Sequence, residues 1–157
     1  MLLERHKKLA FYGVPSTGTA GYVLTRMKYF TKLTTNKNPI EHNRKYVDEE
    51  SQRNDVVGYN TSIDYGFDDY AGNTVLSDIV EIHDKELTGD AATRSILLVD
   101  TVNGKGYLRN YAVIPGTDGD DANIYTYSGS FKANGEITTG TVTTSDDYQS
   151  VTFTADT

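Results

Sequence analysis

The chain contains no cysteine, and that absence removes any disulfide framework, thiolate nucleophile or cysteine-based zinc site. The fold must stand on burial and hydrogen bonding. Tryptophan is also missing, so aromatic character comes from twelve Tyr and five Phe. No apolar run approaches the roughly 20 residues a membrane-spanning helix needs. The opening Met1-Leu2-Leu3-Glu4-Arg5-His6-Lys7-Lys8 puts charge where a secretory signal requires an apolar stretch. No membrane partner is therefore expected, and the cytoplasm of whichever cell makes the protein is the default location. The length of 157 residues suits one domain, 1–157, with a core of its own.

Recognisable chemistry is scarce as well. His6, His42 and His83 are far apart and share no metal-ligand spacing, which predicts three exposed polar side chains. Gly13 and Gly18 stand at P-loop separation in Gly13-Val14-Pro15-Ser16-Thr17-Gly18-Thr19, but the phosphate-binding Lys is absent. Asp118-Gly119-Asp120-Asp121-Ala122-Asn123 has Ala where a calcium loop needs its third oxygen ligand, so it reads as a solvated acidic turn. Ser128 and Ser130 lack the Gly-x-Ser-x-Gly elbow and fall within a predicted strand. Carboxylates are plentiful, yet nothing selects a glycosidase-like pair. No catalytic residue, metal ligand or cofactor is expected, and the chain reads as a non-enzyme.

What is present is charge separation, threonine and tyrosine. Residues 1–53 hold ten Lys/Arg against five Asp/Glu, a net of +5, and the remainder holds five against seventeen, a net of -12. A molecule polarised in this way attracts copies of itself, while its acidic part repels nucleic acid. Threonine in the second half and tyrosine throughout favour β-structure.

Alternation of apolar and polar residues predicts strands at Tyr22–Leu33 and Val56–Phe67, the buried-looking run Ser95–Val99 predicts another, and segments between tight turns predict Tyr107–Ile114, Asn123–Ala133, Glu136–Thr144 and Tyr148–Thr154. Asn103-Gly104 and Asn134-Gly135 supply tight turns. Val75, Leu76, Ile79, Val80 and Ile82 form an apolar stripe, predicting one helix over about residues 74–86, capped by Asn73 or Thr74 and stopped near Gly89. Residues 1–20 read as an N-terminal arm, residues 34–55 as a long polar loop, and 145–157 as the last strand and C-terminus. An ordered loop of that length needs partners to offset its entropy, which points to docking between subunits. Arg44, Lys45, Tyr46, Asp48, Glu49, Glu50 and Arg53 are the contact candidates. About seven strands and one helix without βαβ alternation give a mainly β fold, a β-sandwich or barrel-like domain with one packed α-helix.

The stretch Arg44-Lys45-Tyr46-Val47-Asp48-Glu49-Glu50-Ser51-Gln52-Arg53-Asn54-Asp55-Val56-Val57-Gly58-Tyr59 and the run from Tyr111 to Phe153 resemble the major tail tube proteins of bacteriophages and prophages. The second run contains Tyr-Ala-Val-Ile-Pro, Gly-Asp-Asp-Ala-Asn and Tyr-Thr-Tyr-Ser-Gly-Ser-Phe-Lys-Ala-Asn-Gly-Glu. The resemblance implies a structural virion protein: two β-sheets flanked by a helix, with copies closing into hexameric rings. Those rings stack into a tail tube that conducts DNA during ejection. It implies tape-measure, tail-tip and terminator proteins as further partners, assembly in the bacterial host cytoplasm, and no specific DNA contact. An acidic lumen follows, with Asp64 and Asp68 as the lumen-facing candidates. A monomeric carbohydrate-binding sandwich, a terminator, a head decoration protein and the tube of an injection device stay open beside that reading.

Overall fold

A computed structural model describes residues 1–17 and 21–157. Among these it contains β1 (Lys8–Pro15), β2 (Tyr22–Arg26), β3 (Phe30–Asn36), β4 (Pro39–Arg44), β5 (Arg53–Tyr59) and β6 (Ser62–Asp68). There follow α1 (Thr74–Lys85), β7 (Thr93–Asp100), β8 (Lys105–Asp118), β9 (Thr126–Ala133), β10 (Thr138–Thr143) and β11 (Thr152–Ala155). Short 3-10 turns occupy Arg5–Lys7 and Gly89–Ala92.

Nine strands make one antiparallel sheet with the path β2-β1-β7-β8-β9-β6-β3, and β10 branches from β8 carrying β11. The remaining pair, β4 and β5, bond only to each other. The sheet curls into a half-barrel, the barrel-like form of the expected mainly β fold with one packed helix. Its curvature brings distant strands together: Arg5, just before β1, donates from Nη2 to the Leu33 carbonyl of β3 at 3.3 Å. The link from β2 to β3 crosses the open side, with Met27 buried and its N–H donating to the Ala10 carbonyl at 2.9 Å.

Paired residues share a face, so the registers divide the sheet into two sides. Tyr12, Ile96, Tyr111, Val113, Phe131, Ile63, Tyr65 and Phe67 line one side, and α1 lays Val75, Leu76, Ile79 and Ile82 across it. Phe11, Leu97, Val99 and Val142 form a smaller cluster on the other side, closed by Phe153 of β11. Strands β1 and β7 are thus buried on both faces, which is why Phe11-Tyr12 and Ile96-Leu97 are consecutive core residues. That burial corrects the expected arm: residues 8–15 of the 1–20 segment are an inner strand. Apolar residues facing both ways erase the alternation by which a strand is recognised. Gly18, Thr19 and Ala20, the end of the expected arm and of the Gly13–Thr19 loop, lie outside the described residues.

The helix begins as its sequence dictates, the Asn73 side chain accepting from the N–H groups of Val75 at 3.0 Å and Leu76 at 3.1 Å. It ends at Glu86, which adopts a left-handed conformation with φ of 51°, three residues before Gly89. Two polar residues flank its buried stripe, Asp78 and His83. Asp78 accepts from Arg94 Nε at 2.8 Å and from the Tyr12 hydroxyl, and both ionic side chains are only 12% exposed. This triad ties α1 to β1 and β7.

Close backbone approach demands glycine where β8 meets β9. A Cβ on Gly129 of β9 would stand 2.4 Å from the Ile114 carbonyl oxygen and 2.9 Å from the Gly116 nitrogen, both fixed main-chain atoms. Gly129→Ala is therefore expected to cost about 1–3 kcal/mol through forced separation of β8 and β9. Chemical denaturation measures it; a midpoint unchanged from wild type would contradict the packing argument.

Candidate assembly surfaces

The segment expected as a long loop over 34–55 is instead strand for most of its length. Its start completes β3; the rest rises into the β4–β5 ribbon, whose register runs from Pro39↔Tyr59 to Arg44↔Arg53 with a bulge between Ile40 and Glu41. The ribbon was invisible as strands because both of its faces are exposed, so no apolar alternation is imposed on it. Ile40, Val56, Val57 and Tyr59 are more than half exposed along it, and Val47 is fully exposed at its tip.

At that tip the candidates divide. Arg53 donates from Nε to Glu49 at 2.9 Å and sets its guanidinium 5.8 Å from the centre of the Tyr46 ring. The Glu49 N–H closes a turn onto the Tyr46 carbonyl at 3.1 Å. Tyr46, Glu49 and Arg53 are thus brought together, whereas Arg44, Lys45, Asp48 and Glu50 project into solvent around them.

Strand directions place a different surface at the opposite end of the body. Tyr29, immediately before β3, takes a left-handed φ of 69° and stacks on Tyr70 with ring centres 4.2 Å apart and planes 4° from parallel. Both rings, with Ile124 and Tyr125 at the start of β9, are about half exposed. The Asp69 N–H donates to the Tyr125 carbonyl at 2.9 Å, joining the two loops. Burial first, then the charge of Asp84 and neighbours including Asp69 and Asp118, pushes the Tyr127 phenol up to about 12.

Asp64 and Asp68 lie on the sheet side away from α1, in line with Gly66. Asp64 is half-buried and accepts from Asn36 Nδ2 at 3.0 Å and Ser130 Oγ at 3.4 Å. Lys32 and Lys132 occupy the same side, which makes this face polar with both signs of charge. Ser128 pairs with Thr117 at 2.7 Å. Asp121 turns inward on its own loop, accepting from the N–H groups of Asn123 and Ile124, which hold its carboxyl below the usual range. Among the described residues no group of three His, Asp or Glu side chains could hold a metal ion.

One histidine departs from expectation. His83 is half-buried, with Nε2 at 2.5 Å from the Tyr65 hydroxyl, and its burial pushes the imidazole below its ordinary value. Sequence reasoning missed this pair, the Tyr12–Asp78–Arg94 triad and the Tyr29–Tyr70 stack. The helical spacing of Asp78, Ile79, Ile82 and His83 carries the signal for the first two; the third joins residues 41 apart and has none.

Neither models of known protein families nor curated protein sequences match the chain. Among solved structures, the fold is similar to a chain of an extracellular contractile injection system, a PVC sheath–tube complex in its extended state. That match has a TM-score of 0.49 and 13% identity, covering 90% of this chain and 93% of the other. It is also similar to a chain of the anti-feeding prophage baseplate, with a TM-score of 0.48 and 9% identity over 88% of this chain and 95% of that one. No helix among the described residues is long and apolar enough to cross a membrane.

Proposed function

We propose that the chain is a structural, non-enzymatic subunit that assembles with copies of itself into a conduit of the tail-tube type. The observation that carries this reading is the β4–β5 ribbon. An isolated two-stranded ribbon is marginal in water, and this one exposes Ile40, Val56, Val57 and Tyr59 without packing on the body. A neighbouring subunit supplies the missing surface, with the projecting Arg44, Lys45, Asp48 and Glu50 setting its register. The half-barrel adds the second requirement: its edge strands β2 and β3 present unpaired backbone groups, and a closed ring of copies removes such edges.

The resemblance of residues 44–59 and 111–153 to tail tube proteins extends the proposal to six copies per ring and rings stacked around a DNA channel. In that arrangement the side of the sheet carrying Asp64 and Asp68 faces the lumen, where these carboxylates offset Lys32 and Lys132 and let DNA pass without binding. Tape-measure, tip and terminator proteins complete the particle, a virion tail assembled in host cytoplasm. The tube of an injection device is the same proposal with a different cargo.

Negative-stain electron microscopy of the concentrated protein, with and without a tail initiator, is expected to show rings or filaments. A strict monomer under both conditions would remove the proposal. The stacked Tyr29–Tyr70 pair favours a second reading, a carbohydrate-binding module, because flat exposed rings suit sugar faces. Glycan-array binding by that stable monomer would establish it instead.

A further inference from the structure

The two ends of the half-barrel are chemically opposite. Strands β1, β6 and β8 begin, and β3 and β7 finish, at the end that carries the Arg5–Lys7 turn. The Tyr29–Tyr70 stack lies at the other end. Tyr29 stands four residues before Leu33, the β3 residue whose carbonyl Arg5 reaches, so the stack lies roughly 13 Å along β3 from that anchor.

The N-terminal segment is held in place and yet unfinished. Leu3 covers a recess between β1 and β3 that Ala10, Met27, Leu33 and Phe131 line. Arg5 is fastened by bonds to the Lys8 carbonyl at 2.8 Å and to Leu33. Beyond these anchors Met1 and Leu2 project fully into solvent, an apolar tip followed by Arg5, Lys7 and Lys8 against a single acid, Glu4. The far end has the complementary character: the exposed rings of Tyr29, Tyr70 and Tyr125 with Ile124, beside Asp69, Asp84 and Asp118. Lys28 adjoins Tyr29 in sequence, and Lys85 is already bonded to Glu81 at 2.8 Å.

We propose that the segment Met1–Lys8 of one copy docks on the Tyr29–Tyr70–Tyr125 end of a second copy. Met1 and Leu2 lie against the stacked rings, and Lys7 and Lys8 face Asp69 and Asp84. The contact is head-to-tail and runs along the strand axis, so it stacks one copy on the next. It rests on the self-assembly reading above but uses a surface separate from the β4–β5 ribbon.

The cysteine-free chain makes a direct test simple. L2C and A71C variants, mixed and oxidised, are expected to give a disulfide-linked pair joining the two different chains. Each variant carries a single cysteine, so no intramolecular bond can form. An N103C variant, whose cysteine lies at the same end as Leu2, serves as the control partner. Adding K7E and K8E to the L2C chain should lower the yield about tenfold. Adding D69K and D84K to the A71C chain should then restore it. An L2C–A71C yield no higher than the N103C control, from protein that still forms rings, overturns this contact and leaves the ribbon-based assembly standing. Absence of both rings and cross-link overturns both proposals, and a sugar that occupies the tyrosine stack of a monomer overturns the contact.

Discussion

An Ile40→Asp, Val57→Asp double variant is expected to fold with an unchanged melting temperature and to form no rings or filaments at any concentration at which the wild type does. Both side chains are more than half exposed on a ribbon bonded only to itself, so the monomer loses little by exchanging them. In the proposed assembly the same positions become buried between subunits. Two uncompensated carboxylates placed there meet a desolvation cost of several kcal/mol each, about three decades or more in association constant. Circular dichroism melting and sedimentation velocity on one sample separate the two effects. Normal assembly by the variant would show that the ribbon is not the contact.

Asp78→Ala is expected to produce the largest loss of stability in the chain, about 3–5 kcal/mol, because it strands Arg94 as an uncompensated charge under α1. The Tyr12 hydroxyl loses its acceptor in the same step. For a domain of this size the melting temperature should fall by roughly 6–20 °C. Asp78→Leu combined with Arg94→Met, which removes both charges and keeps volume, should recover most of that loss. A double variant as unstable as Asp78→Ala would mean that packing around α1, not the charge pair, holds the helix in place.

The elements readable in the sequence were those with one wet and one dry face, together with β7, whose run Ile96-Leu97-Leu98-Val99 is apolar throughout. Helix α1 has a clean apolar stripe and an Asn73 cap, and its first residue was placed correctly. Strands β6 and β9 alternate, and the Asn103-Gly104 turn stands where β7 meets β8. Two kinds of strand escaped for opposite reasons. In β1 both faces are buried around Phe11 and Tyr12, and in β4 and β5 both are exposed, so neither shows the alternation that marks a strand. Tyr22–Leu33 and Val56–Phe67 each read as one strand but are each divided between two. The first breaks where the chain crosses the open side at Met27–Tyr29, and the second where the ribbon rejoins the body at Asn60. Of the surface residues, Tyr46, Glu49 and Arg53 proved to be mutually bonded. The pairing of Tyr29 with Tyr70 depends on a sheet curvature that no local pattern encodes.

The pairing of β1 with β7 carries a consequence for synthesis. Lys8 lies opposite Asp100, so the inner strand, flanked early only by β2, lacks its partner on the other edge until the ribosome has made a further 92 residues. At ordinary translation speed that is roughly 5–20 s, during which Phe11 and Tyr12 have no core to enter. The β4–β5 ribbon is local and closes within about 1–10 μs of emerging. A nascent chain therefore closes its ribbon well before it owns a body for the ribbon to project from.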